Sequence, residues 1–328
     1  MGFNERKSDN MEPLKIIFDT DIGGDCDDAG TLTMLHRLCD KGEAELLAVT
    51  HCFATPWVAG CIDAINRFYG REVPVGINYS NIQADNRGVY AASLCESFPN
   101  RYPAEAFGTE NGAPDTLTIL RKTLADAPDM SVTLVVTGKL SSMAKLASSK
   151  PDDISDMNGI ELIQKKLIRT VVMGGRFMDT WPMTIFPDGG TTGDPVTWEW
   201  NIRFSHMDDI RLACDNWPGE LVYASYEIGS YIKTMVGYPD RAIKGDPVAL
   251  AYDLHNHGQG RCSWDQTAML EAIRPGRYWN YHEYGRITVG DDFVTRWEPS
   301  TTFKHTYLLP KTGYSTIRQT IDDLVDGK

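Results

Sequence analysis

No stretch of this 328-residue chain approaches the roughly 20 consecutive apolar residues that cross a bilayer. Its first dozen residues are polar and mixed in charge, without the apolar centre of a secretory signal, and read as a mobile tail over residues 1–12. A basic excess is missing as well. Lys and Arg number 32 against 45 Asp and Glu, a formal net charge of −13. Holding nucleic acid through its phosphates needs the opposite balance, so neither nucleic acid nor a membrane is an expected partner. The 7 cysteines never form a C-x-x-C pair, which removes zinc knuckles and thioredoxin-type sites. Odd in number and scattered through apolar stretches, they read as buried thiols in a reduced, cytoplasmic compartment. Repeats, low-complexity tracts and interdomain linkers are also absent.

What is present is core material and alternation. Hydrophobic residues make up 42% of the chain, enough for a sizeable core. Residues 14–18, 45–52, 73–77, 132–137 and 167–173 read as strands. Between them, residues 29–39, 57–69, 115–125 and 141–148 read as helices, the last with Ser141 as cap. This predicts an α/β fold: a Rossmann-like open sheet, mainly parallel, with helices on both faces. A Pro-, Gly- and Thr-rich loop at 179–194 leads to Trp198-Glu199-Trp200-Asn201 and a helix over 206–215. The remainder reads as a mixed, irregular C-terminal part of one domain spanning 13–328. It holds a strand at 221–224, a loop at His255-Asn256-His257-Gly258, a helix at 265–273 and terminal hairpin strands at 284–289 and 303–309.

Parallel open sheets bind ligands beyond the carboxyl ends of their strands. That edge collects the Asp19–Asp28 loop, Thr55-Pro56, Thr137-Gly138 and Gly174-Gly175. The first loop is the most informative. Ile16, Ile17 and Phe18 lead into Asp19-Thr20-Asp21-Ile22-Gly23-Gly24-Asp25-Cys26-Asp27-Asp28, five carboxylates in ten residues. Converging at a strand end, they would repel one another unless a hard divalent ion such as Ca²⁺ or Mg²⁺ neutralised them. A solvated acidic turn before a helix accounts for Asp27 and Asp28, but not for Asp19 and Asp21 flanking Thr20 after an apolar run.

Read with Val136-Thr137-Gly138 and Trp198-Glu199-Trp200-Asn201, this loop resembles the inosine-uridine preferring nucleoside hydrolase family, in order from about residue 14 to about 273. The resemblance implies a Ca²⁺ ion held by Asp21, Asp28, the Thr137 carbonyl and Asp265. It makes Asp21 the base that activates a water at the ion. It gives Asp27, Glu199 and Asn201 to the ribose hydroxyls, with Glu199 and Asn201 sharing one face of an extended segment. Trp264 falls where a ring would stack on the leaving base. The ordinary alternatives are a strand terminus at Thr137, an edge strand carrying Trp198 and Trp200 inward, and a helix cap at Ser263 or Asp265.

The sequence also departs from the family pattern. Two extra residues precede Asp27-Asp28, so Asp25 competes for a place at the ion, while Asp19 reads as a structural acceptor for the turn's N–H groups. Thr55, Pro56 and Trp57 stand where an Asn is expected, and Gly193 or Asp194 replaces another. His51, His255, His257 and His282 are open candidates for a leaving-group acid. The implied reaction is hydrolysis of the N-glycosidic bond of a ribonucleoside or related N-ribosyl compound, by a homodimer or homotetramer. Two other readings stand beside it. One is a phosphatase of haloacid-dehalogenase type, using Asp19, Thr137, Lys139 and Gly290-Asp291-Asp292 with Mg²⁺. The other is a non-catalytic, Ca²⁺-dependent ribosyl-binding protein.

Overall fold

The computed structural model describes residues 12–177 and 198–328. Almost all of the expected tail, the loop at 179–194 and both Gly193 and Asp194 lie outside the described residues. Strand β1 (Leu14–Thr20) is apolar on both faces, with Ile16 and Phe18 in one buried cluster and Ile17 in the other. Strands β2 (Ala44–His51), β3 (Val75–Ile77), β4 (Val132–Val136), β5 (Leu167–Met173) and β6 (Glu220–Ala224) complete the central sheet. Alternation repeats in β4 and β5, where Val135 and Val171 face the first cluster and Leu134 and Val172 the second. Helices α1 (Asp27–Asp40) and α2 (Val58–Phe68) cover one face; Thr116–Asp126 and Ser141–Ala147 cover the other.

The six strands run parallel in the order β3-β2-β1-β4-β5-β6. From β1 the chain steps one way to β2 and β3, then crosses back to β4 on the other side of β1. Loops leaving the carboxyl ends of β1 and β4 therefore part in opposite directions, and a crevice opens between them. By that rule the candidate site lies over the Asp19–Asp28 and Thr137-Gly138 loops.

Three expectations for the C-terminal part need correction. Strand Gly285–Val289 forms an antiparallel hairpin with Thr295–Pro299. Lys304–Pro310, expected as the hairpin partner, instead joins the main sheet parallel to β6 and meets Gly285–Val289 only at Gly285–His305. Its residues 305–308 are all buried, the mark of a strand covered on both faces. His255 and Asn256 end a helix, Pro247–Asn256, that opens with the Asp246 side chain accepting the Val248 N–H; only His257 and Gly258 make the turn, at φ of 55° and 68°. Residues 206–215 form two short pieces, Met207–Ile210 and a π turn at Arg211–Asp215. Among the described residues, no helix is long and apolar enough to cross a membrane.

Candidate functional site

Six residues separate the end of β1 from the start of α1, so the chain must reverse tightly. Gly23 does this at φ +127°, and a Cβ there would lie 2.8 Å from the Ala91 Cβ. No other residue fits. The Tyr90 hydroxyl accepts the Gly23 N–H at 3.0 Å and donates to the Asp25 carbonyl at 2.7 Å. Thr20 Oγ1 takes the Ile22 N–H, so a threonine rather than Asp19 serves the turn. Asp19 accepts instead from the Thr50 hydroxyl of β2 at 2.6 Å. Beyond β4, a Cβ on Gly138 would meet Cys52 Sγ at 2.9 Å and the Asp21 nitrogen at 3.0 Å. Glycine at 138 thus lets the loops of three strands touch.

At their meeting point the carboxyl oxygens of Asp27, Asp28 and Asp265 lie within 4.8 Å of one another, all buried. Asp265 arrives from the first turn of helix Trp264–Ile273, and its backbone N–H donates to Asp27 Oδ2 at 3.3 Å. Asp28 accepts from the Thr20 hydroxyl and from Thr137 Oγ1 at 3.4 Å. Burial pushes the Asp28 carboxyl up to about 6, against the Thr20 hydroxyl bond and its bond with the Asp265 carboxyl. Burial, then the charges of Asp27 and Asp28, drive Asp265 well above the ordinary range. Asp27 rises for the same reasons, burial first and then Asp25 and Asp28. Asp21 keeps part of its surface open to the crevice, yet burial and the Asp28 charge raise it too, with the Lys139 charge opposing. Two carboxylates facing each other this closely need a proton or a cation between them. Oxygens sharing one hard cation at roughly 2.4 Å lie about 3–5 Å apart, so this donor set fits Ca²⁺ or Mg²⁺ in chemistry and spacing.

Asp25 is engaged differently. Arg261 grips its carboxylate in bidentate fashion, with nitrogen–oxygen distances of 2.6 to 2.9 Å, and His255 Nε2 lies 3.4 Å from it. The charge of Asp25 is thus met from within the chain, and its oxygens are not in the triad.

The β4 and β5 ends supply the facing wall. Glu199 caps the short helix Trp200–Arg203, accepting from the N–H of Asn201 at 2.8 Å, Ile202 at 3.0 Å and Gly175 at 3.3 Å. Burial raises it to about 7 despite these bonds. The extended segment expected through Asn201 therefore stops at Glu199, because a carboxylate at that position starts a helix. Both side chains still reach the cavity. The Asn201 amide donates to the carbonyls of Thr137 at 2.8 Å and Met173 at 3.2 Å, leaving its own Oδ1 as an acceptor. Trp264 packs against Tyr226 with centroids 5.5 Å apart, lies under the Arg261 guanidinium, and donates its N–H to the Tyr226 carbonyl. Thr55 spends its hydroxyl on the N–H groups of Trp57 and Val58.

Together these groups line a cavity of about 720 Å³, large enough for a sugar with an attached ring. It gathers Asp21, Asp25, Asp27, Asp28, Thr137, Glu199, Asn201, Trp264 and Asp265. Of the four histidines considered, His255 lines it. His51 lies between the carbonyls of Phe53 and Ile22, held down to about 4 by burial. Sequence reasoning missed Trp200, which borders the cavity with 59% of its surface exposed rather than pointing inward. Its place between Glu199 and Asn201 was the available signal. Gly290-Asp291-Asp292 forms the hairpin turn outside the cavity lining, with Asp292 bonded to Arg296 at 2.7 Å.

No family model matches the sequence, and no curated protein does. Solved structures do match in fold. A plant nucleoside hydrolase aligns over 96% of this chain and 100% of its own, with a TM-score of 0.65 and 14% identity. The inosine-uridine preferring nucleoside hydrolase from Bacillus anthracis gives the same coverage, with a TM-score of 0.64 and 16% identity. The type III effector protein XopQ, solved with adenosine diphosphate ribose, aligns over 97% of this chain and 93% of its own, with a TM-score of 0.63 and 14% identity. The chain shares the fold of these proteins.

Proposed function

We propose that this chain is a divalent-cation-dependent hydrolase of the N-glycosidic bond of ribonucleosides or a related N-ribosyl compound, with Ca²⁺ as the ion. One observation carries the reading: Asp27, Asp28 and Asp265 converge in a buried site beside Asp21, without a chain cation paired to them among the described residues. The likeness in fold to nucleoside hydrolases supports it. Asp21, Asp28, Asp265 and the Thr137 carbonyl would hold the ion, with Asp27 completing the ring of oxygens. When bound, a divalent cation supplies a Lewis acid that lowers the pKa of water and neutralises the cluster.

The chain's own groups do the rest. Asp21, open to the cavity, takes the proton of the water that attacks C1′. Asp27, Asn201 Oδ1 and the remaining lone pair of Glu199 accept from ribose hydroxyls and fix the ring above the cluster. The surrounding negative charge stabilises the oxocarbenium character that develops as the base departs. Trp264 and Trp200 offer aromatic surface to that base.

A second reading keeps the binding and drops the turnover. XopQ, with the same fold, was solved with a ribosyl ligand, and the Thr55 hydroxyl is already committed to the start of α2. Release of free base from a panel of ribonucleosides, followed by chromatography with and without chelator, separates the two. Chelator-sensitive release of base together with ribose supports hydrolysis. Tight riboside binding without release over long incubation supports the binding protein, and activity on aryl phosphates alone would contradict both.

A further inference from the structure

Among the described residues, the cavity lining holds two fixed cations, and they are used in opposite ways. Arg261 is spent on Asp25. Lys139, three residues past the end of β4 at Val136, is half-buried in the cavity lining and makes no ion pair among the described residues. It stands close enough to Asp21 to oppose that carboxyl's rise, yet forms no salt bridge with it. Its ammonium lies 5.3 Å from the centroid of the Phe53 ring, on the β2 side of the crevice. The wall on that side continues through Thr55, Gln83 and Asn86, polar and uncharged, whereas the carboxylates line the floor and the β5 side. A cation placed to offset the acidic floor would reach a carboxylate, as Arg261 does. Lys139 lies instead beside the Phe53 ring, in a lining that it shares with the uncharged polar side chains of Thr55, Gln83 and Asn86. A partly desolvated ammonium in that position attracts an anion brought in by the ligand.

We propose that Lys139 makes this cavity a site for a ribosyl compound carrying a phosphoryl group, such as a nucleoside 5′-monophosphate, with the phosphate lodged between Lys139 and the Gln83 and Asn86 side chains. This deepens the ribosyl reading above and rests on it. The sugar lies over the acidic floor, and the phosphate points away from it, towards the β2 wall.

Calorimetric titration of the full chain with added Ca²⁺, using ribose, ribose 5-phosphate and inorganic phosphate as separate probes, tests the proposal. One charge-assisted contact predicts that ribose 5-phosphate binds about tenfold more tightly than ribose at low salt. Lys139→Met should bring the two to parity, and Lys139→Arg should keep most of the difference, with thermal melting confirming that both variants fold. Equal affinities for the two sugars in the unaltered chain would overturn the proposal, as would a phosphate preference that survives Lys139→Met. Inorganic phosphate binding as tightly as ribose 5-phosphate would reduce the site to a free-anion site and overturn it as well. Binding of neither sugar would overturn the ribosyl reading itself, whereas binding of ribose without phosphate preference would remove Lys139's role alone.

Discussion

Asp63 and Asp28 are both buried carboxylates on helices that cover the same face of the sheet, but their surroundings differ. Asp63, on α2, is 0% exposed and receives Arg67 Nε at 2.9 Å, Arg101 Nε at 2.8 Å and the Arg101 backbone N–H at 2.6 Å. Asp28, in the first turn of α1, is 2% exposed and meets two hydroxyls and further carboxyl groups. A buried charge is tolerated when it is paired, and Asp63 is paired within the chain. Burying Asp28 without such a partner makes sense when the partner comes from outside. On the proposed function, the contrast separates an acid that fastens the fold from acids kept ready for a ligand, and it can be broken from either side.

The largest effect is expected on the unpaired side. Asp28→Asn keeps the shape and hydrogen-bonding size of the side chain but removes one charge of the triad. Steady-state assay of base release should show kcat/KM down about a thousandfold or more, the scale of losing a principal catalytic group, and Asp21→Ala should fall as far. Full activity in either variant would break the assignment. On the paired side, Arg101→Ala strips Asp63 of most of its compensation. Denaturant unfolding should show a loss of about 3 kcal/mol, while kcat/KM per folded molecule stays unchanged. An equal loss of activity there would erase the distinction between the two acids.

Proton and cation should compete at the unpaired site. Asp28 is raised from 3.8 to about 6 by burial, and Glu199 from 4.5 to about 7. A raised folded pKa means that the metal-free protein has these groups' full contribution below their unfolded values and loses it as the pH climbs through about 6 to 7. Added Ca²⁺ should therefore stabilise little at pH 5 and most above pH 7. There, an ion at a hundred times its dissociation constant adds about 2.7 kcal/mol, read as a shift in melting temperature. The smallest effect is at the rim. Trp200→Ala should raise KM for a nucleoside about fivefold with kcat nearly unchanged, the scale of one aromatic contact.

The first half of the fold and the heart of the site were legible for the same reason. Parallel strands buried on both faces read as plain apolar runs, so β1, β2, β4 and β5 could be seen directly, and a sheet of that kind fixes where its ligand edge lies. The five carboxylates from Asp19 to Asp28, at and just beyond the end of β1, sit in one unbroken stretch and need no long-range contact to be noticed. Long-range contacts decided what was missed. The pairing of Asp25 with Arg261 joins residues 236 apart, and no local pattern distinguishes that carboxylate from Asp27 two positions on. The capping role of Glu199 turned an expected extended segment into a helix start, because its side chain had three backbone N–H groups within reach. Helix Tyr314–Val325 went unread although its periodicity was present: Ile317, Ile321 and Leu324 lie along one buried side.

On the proposed function, the carboxylates that meet no chain cation among the described residues are completed by an ion. Calorimetric titration of chelator-treated protein with Ca²⁺, alongside Asp28→Asn and Arg101→Ala, tests it most directly. One tight equivalent is expected in the unaltered chain and in Arg101→Ala, and none in Asp28→Asn. Calcium bound equally by all three, or by none, would contradict it.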